Sequence, residues 1–315
     1  MIYFALFMIS LGLSLAIRSY AKHKSLLDIP NERSSHTVPT PRGGGLAIII
    51  TFFLGVLYFT DVVEERLIYA LLCVLPIVLI SLLDDISPLS SGLRAMVQMF
   101  SIALGIYALG GIESIDFISF SLEGFWVNIL ALISIFWLTN LYNFLDGIDG
   151  YAGSQALSAG LGLFVFFANP LGLVLVASAL GFLVLNWHRA SLFMGDVGSA
   201  SLGFIFGIFA FYDTSQGNIL LWFILLSLFC FDATLTLLRR FLNKEKLTQA
   251  HKKHAYQRLV QAGYSHAWVV IASLIFNSFF LGLLYYFENL GSIFIANIIF
   301  LSILMFWIER KKAFK

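Results

Sequence analysis

Residues 125–168 read FWVNILALISIFWLT (125–139), NLYNFLDGIDGYAG (140–153) and SQALSAGLGLFVFFA (154–168). The outer parts are almost wholly apolar. The middle sets Asn140, Asn143, Asp146 and Asp149 three residues apart, among Gly147, Gly150 and Gly153. A run of about 20 apolar residues is what an α-helix needs to cross a bilayer. Two such runs joined by carboxylates, carboxamides and glycines read as two membrane helices meeting at a polar turn. Carboxylates are costly at membrane depth and mark functional positions by default.

The composition agrees. Of 315 residues, 59% are hydrophobic and 12% charged. Soluble domains carry about 25% charged residues, so this chain cannot cover a water-facing surface of ordinary size. Its apolar runs are about 17–20 residues long, too long for the alternating strands of a membrane barrel. The fold class expected is an all-α integral membrane protein. Cys73 and Cys230 lie inside apolar runs and read as small buried hydrophobes rather than a disulfide or metal pair. No nucleic-acid partner is expected.

The hydropathy pattern predicts about eleven spans: 2–20, 45–60, 67–83, 95–111, 124–141, 152–168, 171–187, 198–212, 219–238, 267–287 and 291–308. The first has no basic residue before its apolar core, which suits a retained helix that starts outside. With the N-terminus outside, every Lys and Arg except Arg66 falls on the inner side, Arg33 and Lys315 among them. That is a positive-inside pattern, and it places the C-terminus in the cytoplasm. The chain reads as one membrane domain, 1–315, with a basic, His-containing cytoplasmic loop at 239–266. The polar clusters gather at the inner ends of the spans, where water-soluble and lipid substrates can meet.

Four clusters carry the chemistry. Asp84 and Asp85 end the third span; adjacent carboxylates repel and need a cation or a proton, the alternative being an exposed helix-end turn. In the opening segment, Asn140, Asn143 and Asp146 share a face if helical, and Gly147 and Gly150 would let Asp149 turn back toward it. Carboxylate and carboxamide oxygens are ligands that Mg²⁺ accepts. In NWHRASLFMGDVGS (186–199), Asn186 ends the seventh span, and Asp196 opens the eighth, where it is either a helix cap, a metal ligand or both. The loop RRFLNKEKLTQAHKKHAYQRL (239–259) carries His251, His254 and Arg258, a set suited to phosphate or simply to anchoring on anionic lipid. Acids for Mg²⁺ and cations for phosphate beside a bilayer point to phosphoryl chemistry on a soluble, phosphorylated substrate. Asp232, inside the ninth span, is either functional or a brace for Arg239 or Arg240.

LLDD, NxxNxxDGxDG, NxxxxxxFMGDxGS and the His-containing loop, in that order, resemble the polyprenyl-phosphate N-acetylhexosamine-1-phosphate transferases of the MraY and WecA type. The resemblance covers roughly Asp28 to Leu259, and DIPNERSSHTVPTPRGGG and HKKHAYQRL look most like the O-antigen-initiating subgroup typified by WbpL. It implies transfer of a sugar-1-phosphate (GlcNAc, QuiNAc or FucNAc type) from a UDP-sugar to undecaprenyl phosphate in a bacterial inner membrane, with release of UMP. It also implies roles. Asp84 or Asp85 would deprotonate or orient the lipid phosphate. Asn143 and Asp196 would hold Mg²⁺, which Mn²⁺ could replace. Asp149 and Asn186 would read the uridine, Asp146 would support the site, and His251, His254 and Arg258 would contact the diphosphate or sugar. Lys252 and Lys253 separate the loop histidines, which argues against a UDP-MurNAc-pentapeptide substrate. A homodimer is compatible with the sequence. Two rivals fit less well. A CDP-alcohol phosphotransferase would need Ala and Arg where Gly153 and Ser154 stand, and an ion-coupled transporter would need acids reaching the outer face.

Overall fold

The computed structural model describes residues 1–30, 35–214, 218–247, 249 and 251–314. Arg33 and Lys315 of the positive-inside pattern lie outside the described residues. The chain is helical: α1 (Ile2–His23), α2 (Gly45–Tyr58), α3 (Glu65–Leu72), α4 (Leu75–Ile86), α5 (Ser91–Ala108), α6 (Phe125–Phe144), α7 (Tyr151–Phe167), α8 (Leu171–Asn186), α9 (Asp196–Tyr212), α10 (Asn218–Leu225), α11 (Ser227–Leu242), α12 (Ala255–Gln261), α13 (His266–Tyr286) and α14 (Leu290–Lys311). Among the described residues the sheet content is two small antiparallel hairpins. β1 (Leu27–Asp28) pairs with β2 (Thr40–Pro41), and β3 (Ser114–Asp116) with β4 (Ser121–Glu123).

Each expected span falls on a helix or a helix pair, but the pieces are uneven. Among the described residues, five spans are long and apolar enough to cross a bilayer unaided: α1, α3 with α4, α6, α13 and α14. A sixth is α10 with α11, if that bent pair is one span. Helices α2, α7, α8 and α9 are apolar but shorter. The chain is therefore a multi-pass helical membrane protein. The third span is made of α3 and α4, with Pro76 in the first turn of α4, where its missing N–H is tolerated. The ninth bends by 77° between α10 and α11. There the amide of Gln155 donates to the Leu225 carbonyl (2.7 Å), and the Asn277 amide donates to Gln155 Oε1 (3.0 Å). A broken helix at membrane depth leaves carbonyls in need of partners, and Gln155 meets one of them while Asn277 holds Gln155 in place.

Helix α9 is the axis of the bundle. Every residue from Val197 to Phe211 is buried, against α6, α4 and α2. A helix apolar all round must be enclosed on all sides. Lipid tails are as apolar as Leu, so the bundle is held by close packing rather than by expulsion of water. Small residues supply the closeness: a Cβ on Gly45 would overlap the Gly198 backbone, locking the starts of α2 and α9 together. Outer helices show the converse, with Phe4 of α1 and Phe306 of α14 exposed.

Asp232 of α11 is a brace, but not for Arg239 or Arg240. It accepts from the Ala255 and Tyr256 N–H groups at the start of α12 (2.8 and 3.4 Å) and from the Thr236 hydroxyl (3.1 Å). The first N–H groups of a helix lack intrahelical partners, and a carboxylate suits that end. Arg240 instead ties the following loop, through Glu245 and the carbonyls of Lys246, Leu247 and Gln249.

Candidate active site

The ends of α4, α6 and α8 meet the starts of α7, α9 and α13 around a cavity of about 350 Å³. Asp85, Asn143, Asp146, Asp149, Asn186 and Asp196 line it, six of the ten site residues read from the sequence, together with Asp28, Ser35, His36, Arg42, Phe193, Gln257 and His266.

The segment after α6 is where local structure sets the geometry. α6 ends at Phe144, so Asn140 and Asn143 lie on its last turns while Asp146 and Asp149 sit in the connection to α7. Asn140 turns away, bonding Gln98 Oε1 (3.0 Å) and the Phe136 carbonyl (2.8 Å). Gly150 has φ +77°, a conformation that costs a side-chain-bearing residue energy, and it reverses the chain into α7. Gly147 serves differently: a Cβ there would overlap the Tyr256 hydroxyl, which reaches in from α12 and donates to the Phe144 carbonyl (3.1 Å).

Asp84 is outside the cavity wall and well partnered. Its Oδ1 accepts from the Leu89 N–H (2.7 Å), its Oδ2 from Arg94 (2.8 Å). Arg94 also donates to Asp196 Oδ2 (2.7 Å), joining the two acids. Asp85 reaches the cavity. Arg42 donates to its backbone carbonyl and stands 3.6 Å from its Oδ1, while its Oδ2 is buried with no hydrogen-bond partner. Asn143 Oδ1 accepts from the Ser199 hydroxyl (2.7 Å), which fixes it one helix turn from Asp196. Burial, then the charges of Asp196 and Asp149, push the Asp146 carboxyl up.

Asp149 is held the other way. Burial alone would raise its carboxyl, but hydrogen bonds from His266, the Ala190 N–H and His188 outweigh it and hold the group below the ordinary carboxylate range. Asn186 Oδ1 accepts from the Gly150 N–H (3.0 Å), and its amide donates to the Leu192 carbonyl (3.0 Å), so it ties the two motif segments together.

Asp85, Asp146, Asp196 and Asn143 all line the cavity and offer oxygen atoms to it. Three carboxylates and a carboxamide suit a hard divalent cation, and the unpartnered Oδ2 of Asp85 is an atom that such a cation would satisfy. Asp149, His188 and His266 also bring ligand-capable atoms within 4.8 Å of one another.

Of the basic loop, His251, His254 and Arg258 do not line the cavity, contrary to the resemblance, which sets them on the diphosphate or sugar. Arg258 is buried and donates to Glu309 (2.7 Å) and the Lys312 carbonyl (3.0 Å) on α14. His254 is buried at the start of α12, stacked near Phe144 and Tyr256, with its Nδ1 3.6 Å from Asp232. His251 accepts from the Lys253 N–H (3.2 Å). Two residues of the 239–266 segment do line the cavity: His266 at its end, and Gln257, whose Oε1 also accepts from the His254 N–H (3.3 Å) in a capping box.

Sequence reasoning missed Arg42, Arg94, His36, His188, His266 and Gln257 as site residues. Arg42 and Arg94 entered only as topology markers. The link between the 28–45 loop and the site is a backbone ladder, Phe193 N–H to Pro41 O, Gly44 N–H to Phe193 O and Gly45 N–H to Met194 O, each 2.8 Å. A run of Gly beside a basic residue was the one available signal.

A model of the family described as glycosyl transferase family 4 matches residues 67–213. A probable undecaprenyl-phosphate N-acetylglucosaminyl 1-phosphate transferase of Bacillus subtilis (strain 168) is 33% identical over 264 residues, covering 78% of this chain and 72% of that protein. The undecaprenyl-phosphate alpha-N-acetylglucosaminyl 1-phosphate transferase of Escherichia coli (strain K12) is 27% identical, covering 81% and 75%. A phospho-N-acetylmuramoyl-pentapeptide-transferase of Thermotoga petrophila is 27% identical, covering 76% and 81%. On these similarities the chain belongs to glycosyl transferase family 4, the polyprenyl-phosphate N-acetylhexosamine-1-phosphate transferases.

Proposed function

We propose that the protein transfers N-acetylhexosamine-1-phosphate from a UDP-sugar to undecaprenyl phosphate and releases UMP. The carrying observation is the single cavity shared by Asp85, Asn143, Asp146, Asp149, Asn186 and Asp196. Relatives named for this reaction with N-acetylglucosamine support it. Asp85 orients the lipid phosphate or takes its proton, because it reaches the cavity with a free oxygen while Asp84 is tied to Leu89 and Arg94. Arg42 and Arg94 are the cations near enough to answer phosphate charge, a role the sequence assigned to the basic loop. Asn143 and Asp196 would hold Mg²⁺ (or Mn²⁺), with Asp146 in support. When bound there, the cation supplies charge neutralisation on the pyrophosphate oxygens. Asp149 reads the uridine, and Asn186 holds the Gly150 turn in place.

In the full reading, one domain spans 1–315 and crosses a bacterial inner membrane eleven times. The N-terminus lies outside, and the cavity and the 239–266 loop lie at the cytoplasmic face. The sugar is of GlcNAc, QuiNAc or FucNAc type, and the product starts O-antigen or another envelope glycan. Membranes containing the protein should convert radiolabelled UDP-GlcNAc, UDP-QuiNAc or UDP-FucNAc to labelled lipid plus UMP. The reaction should need both polyprenyl phosphate and a divalent cation. Product formation without the lipid, or at full rate in EDTA, overturns the assignment.

A further inference from the structure

Asp149 is gripped on one side only. Its Oδ2 is 3.2 Å from His188 Nδ1 and 3.2 Å from His266 Nδ1, and accepts from the Ala190 N–H at 3.3 Å. The two rings arrive from separate elements, His188 from the segment after α8 and His266 as the first residue of α13. Their planes are inclined at 61°. Among the described residues, Asp149 Oδ1 accepts no hydrogen bond, and Asp149 lines the cavity. A carboxylate that meets donors on two sides of one oxygen cannot rotate without breaking a bond to one of them. His266 Nδ1 also stands 3.4 Å from the Asp149 N–H, but the carboxylate oxygen is nearer, and each Nδ1 facing it is assigned the proton because an ionised carboxylate only accepts.

We propose that His188 and His266 are positioning residues that clamp Asp149 so that its free oxygen meets a pyrimidine N–H, and that this clamp selects uridine over cytidine nucleotides. The inference rests on the reading that Asp149 contacts the base. Uracil presents an N–H donor at ring position 3, where cytosine presents a lone pair. An ionised carboxylate attracts the first and repels the second. A carboxylate free to swing could instead accept from the exocyclic amino group of cytosine. Fixing Oδ2 from two sides removes that escape. A site built to pair a polar group rejects an analogue that leaves it unpaired far better than an apolar pocket would.

The test uses the full-length protein in detergent or membranes. His266→Ala and His188→Ala should raise KM for the UDP-sugar about tenfold or more, the effect of loosening one charge-assisted hydrogen bond. At saturating substrate, kcat should stay within about threefold. The ratio of inhibition by CMP to inhibition by UMP should narrow by a similar factor. His266→Gln and His188→Gln, whose carboxamides can still donate, should recover part of both effects and guard against misfolding of the buried His266 variant. A fall in kcat with KM and the CMP-to-UMP ratio unchanged overturns the clamp. So does stoichiometric bound zinc lost on His266→Gln, which would make the triad a metal site. If wild-type protein transfers nothing from any UDP-sugar, the functional assignment fails instead. The clamp is then judged by direct UMP and CMP binding to wild-type and His266→Gln protein, where equal affinities in wild type overturn it.

Discussion

Around the cavity, Asp85 Oδ2 is buried without a partner and Asp149 keeps one oxygen free. In the 239–266 loop, by contrast, four of the basic side chains pair within the protein, although Arg258 Nε and His254 Nδ1 are also buried with no hydrogen-bond partner. Arg240 meets Glu245 and three carbonyls, Lys253 meets Glu245, and Arg258 meets Glu309. Arg239, Lys253 and Arg258 also surround the Phe314 ring at 5.4 to 5.6 Å. Both regions look equally polar and equally functional as strings of letters. What separates them is where the residual capacity lies. At the cavity the unmet oxygens belong to residues that line open space, whereas Arg258 and His254, each with one unmet nitrogen, do not line it, and Arg258 is engaged through its Nη1. The loop is wired as a brace that fixes α12 against α11 and α14, and through Tyr256 and Gln257 it supports the cavity at one remove.

The largest test of this contrast is Asp196→Asn. It keeps shape and removes the charge that sits between Arg94 and Asn143. Turnover should fall roughly 10²–10³-fold, the scale seen when one preorganised electrostatic contact is lost. The variant should elute and melt close to wild type, read by size-exclusion chromatography and thermal shift in detergent. A variant with full activity would take Asp196 out of the site.

On the loop side, Arg258→Ala should behave in the opposite manner. Removing one partner of a buried, charge-assisted contact costs about 1.5–3 kcal/mol, so the melting temperature should drop by several degrees. Glu309→Ala, which also removes the partner of Arg239 and of the Phe314 N–H, should lose at least as much, and the double variant should lose less than the sum of the two, since both break the Arg258–Glu309 contact. Turnover per folded molecule should change only a few-fold. If Arg258→Ala instead abolishes turnover with an unchanged melting temperature, the loop binds phosphate and the contrast collapses.

The two regions touch at Gly147. Gly147→Ala forces the Tyr256 hydroxyl off the Phe144 carbonyl and should destabilise by about 1–3 kcal/mol, as overpacking does. Tyr256→Phe in the same chain should recover part of that loss by removing the clashing oxygen. No recovery would mean that α12 does not depend on this contact.

These residues also show how far the sequence could be read. Apolar runs gave the helices, because a bilayer accepts few alternatives to a helix of that length. The motif acids and amides converged on one cavity because they cluster at helix ends, and chain alternation brings those ends to one side. The bend between α10 and α11 was invisible, since no Pro or Gly marks Leu226 and the carbonyl left over is met by Gln155, far away in the chain. Arg94 and Asp196 are 102 residues apart. Nothing in either local sequence says that one guanidinium will bridge two acids. Arg258 failed for the same reason in reverse: its partner, Glu309, lies in the last helix.

His251 gives the finest test. Burial first, then the charges of His254 and Arg240, push its imidazole down to about 3. In an unfolded chain a histidine titrates near 6.5. The folded value is the lower one, so the unfolded state binds the proton first as the solution is acidified. The contribution of neutral His251 to stability is therefore fully present above about pH 6.5 and is lost progressively as pH falls toward 3. In wild type, the melting temperature should decline from about pH 6.5 downward. In His251→Gln, whose Oε1 can still accept from the Lys253 N–H, that decline should be shallower. Turnover at pH 7.5, where His251 is already neutral, should be nearly the same in both. Equal slopes would mean that the ring is solvated and free to charge. A large loss of turnover at pH 7.5 with equal slopes would return His251 to the substrate and make the loop a second half of the site.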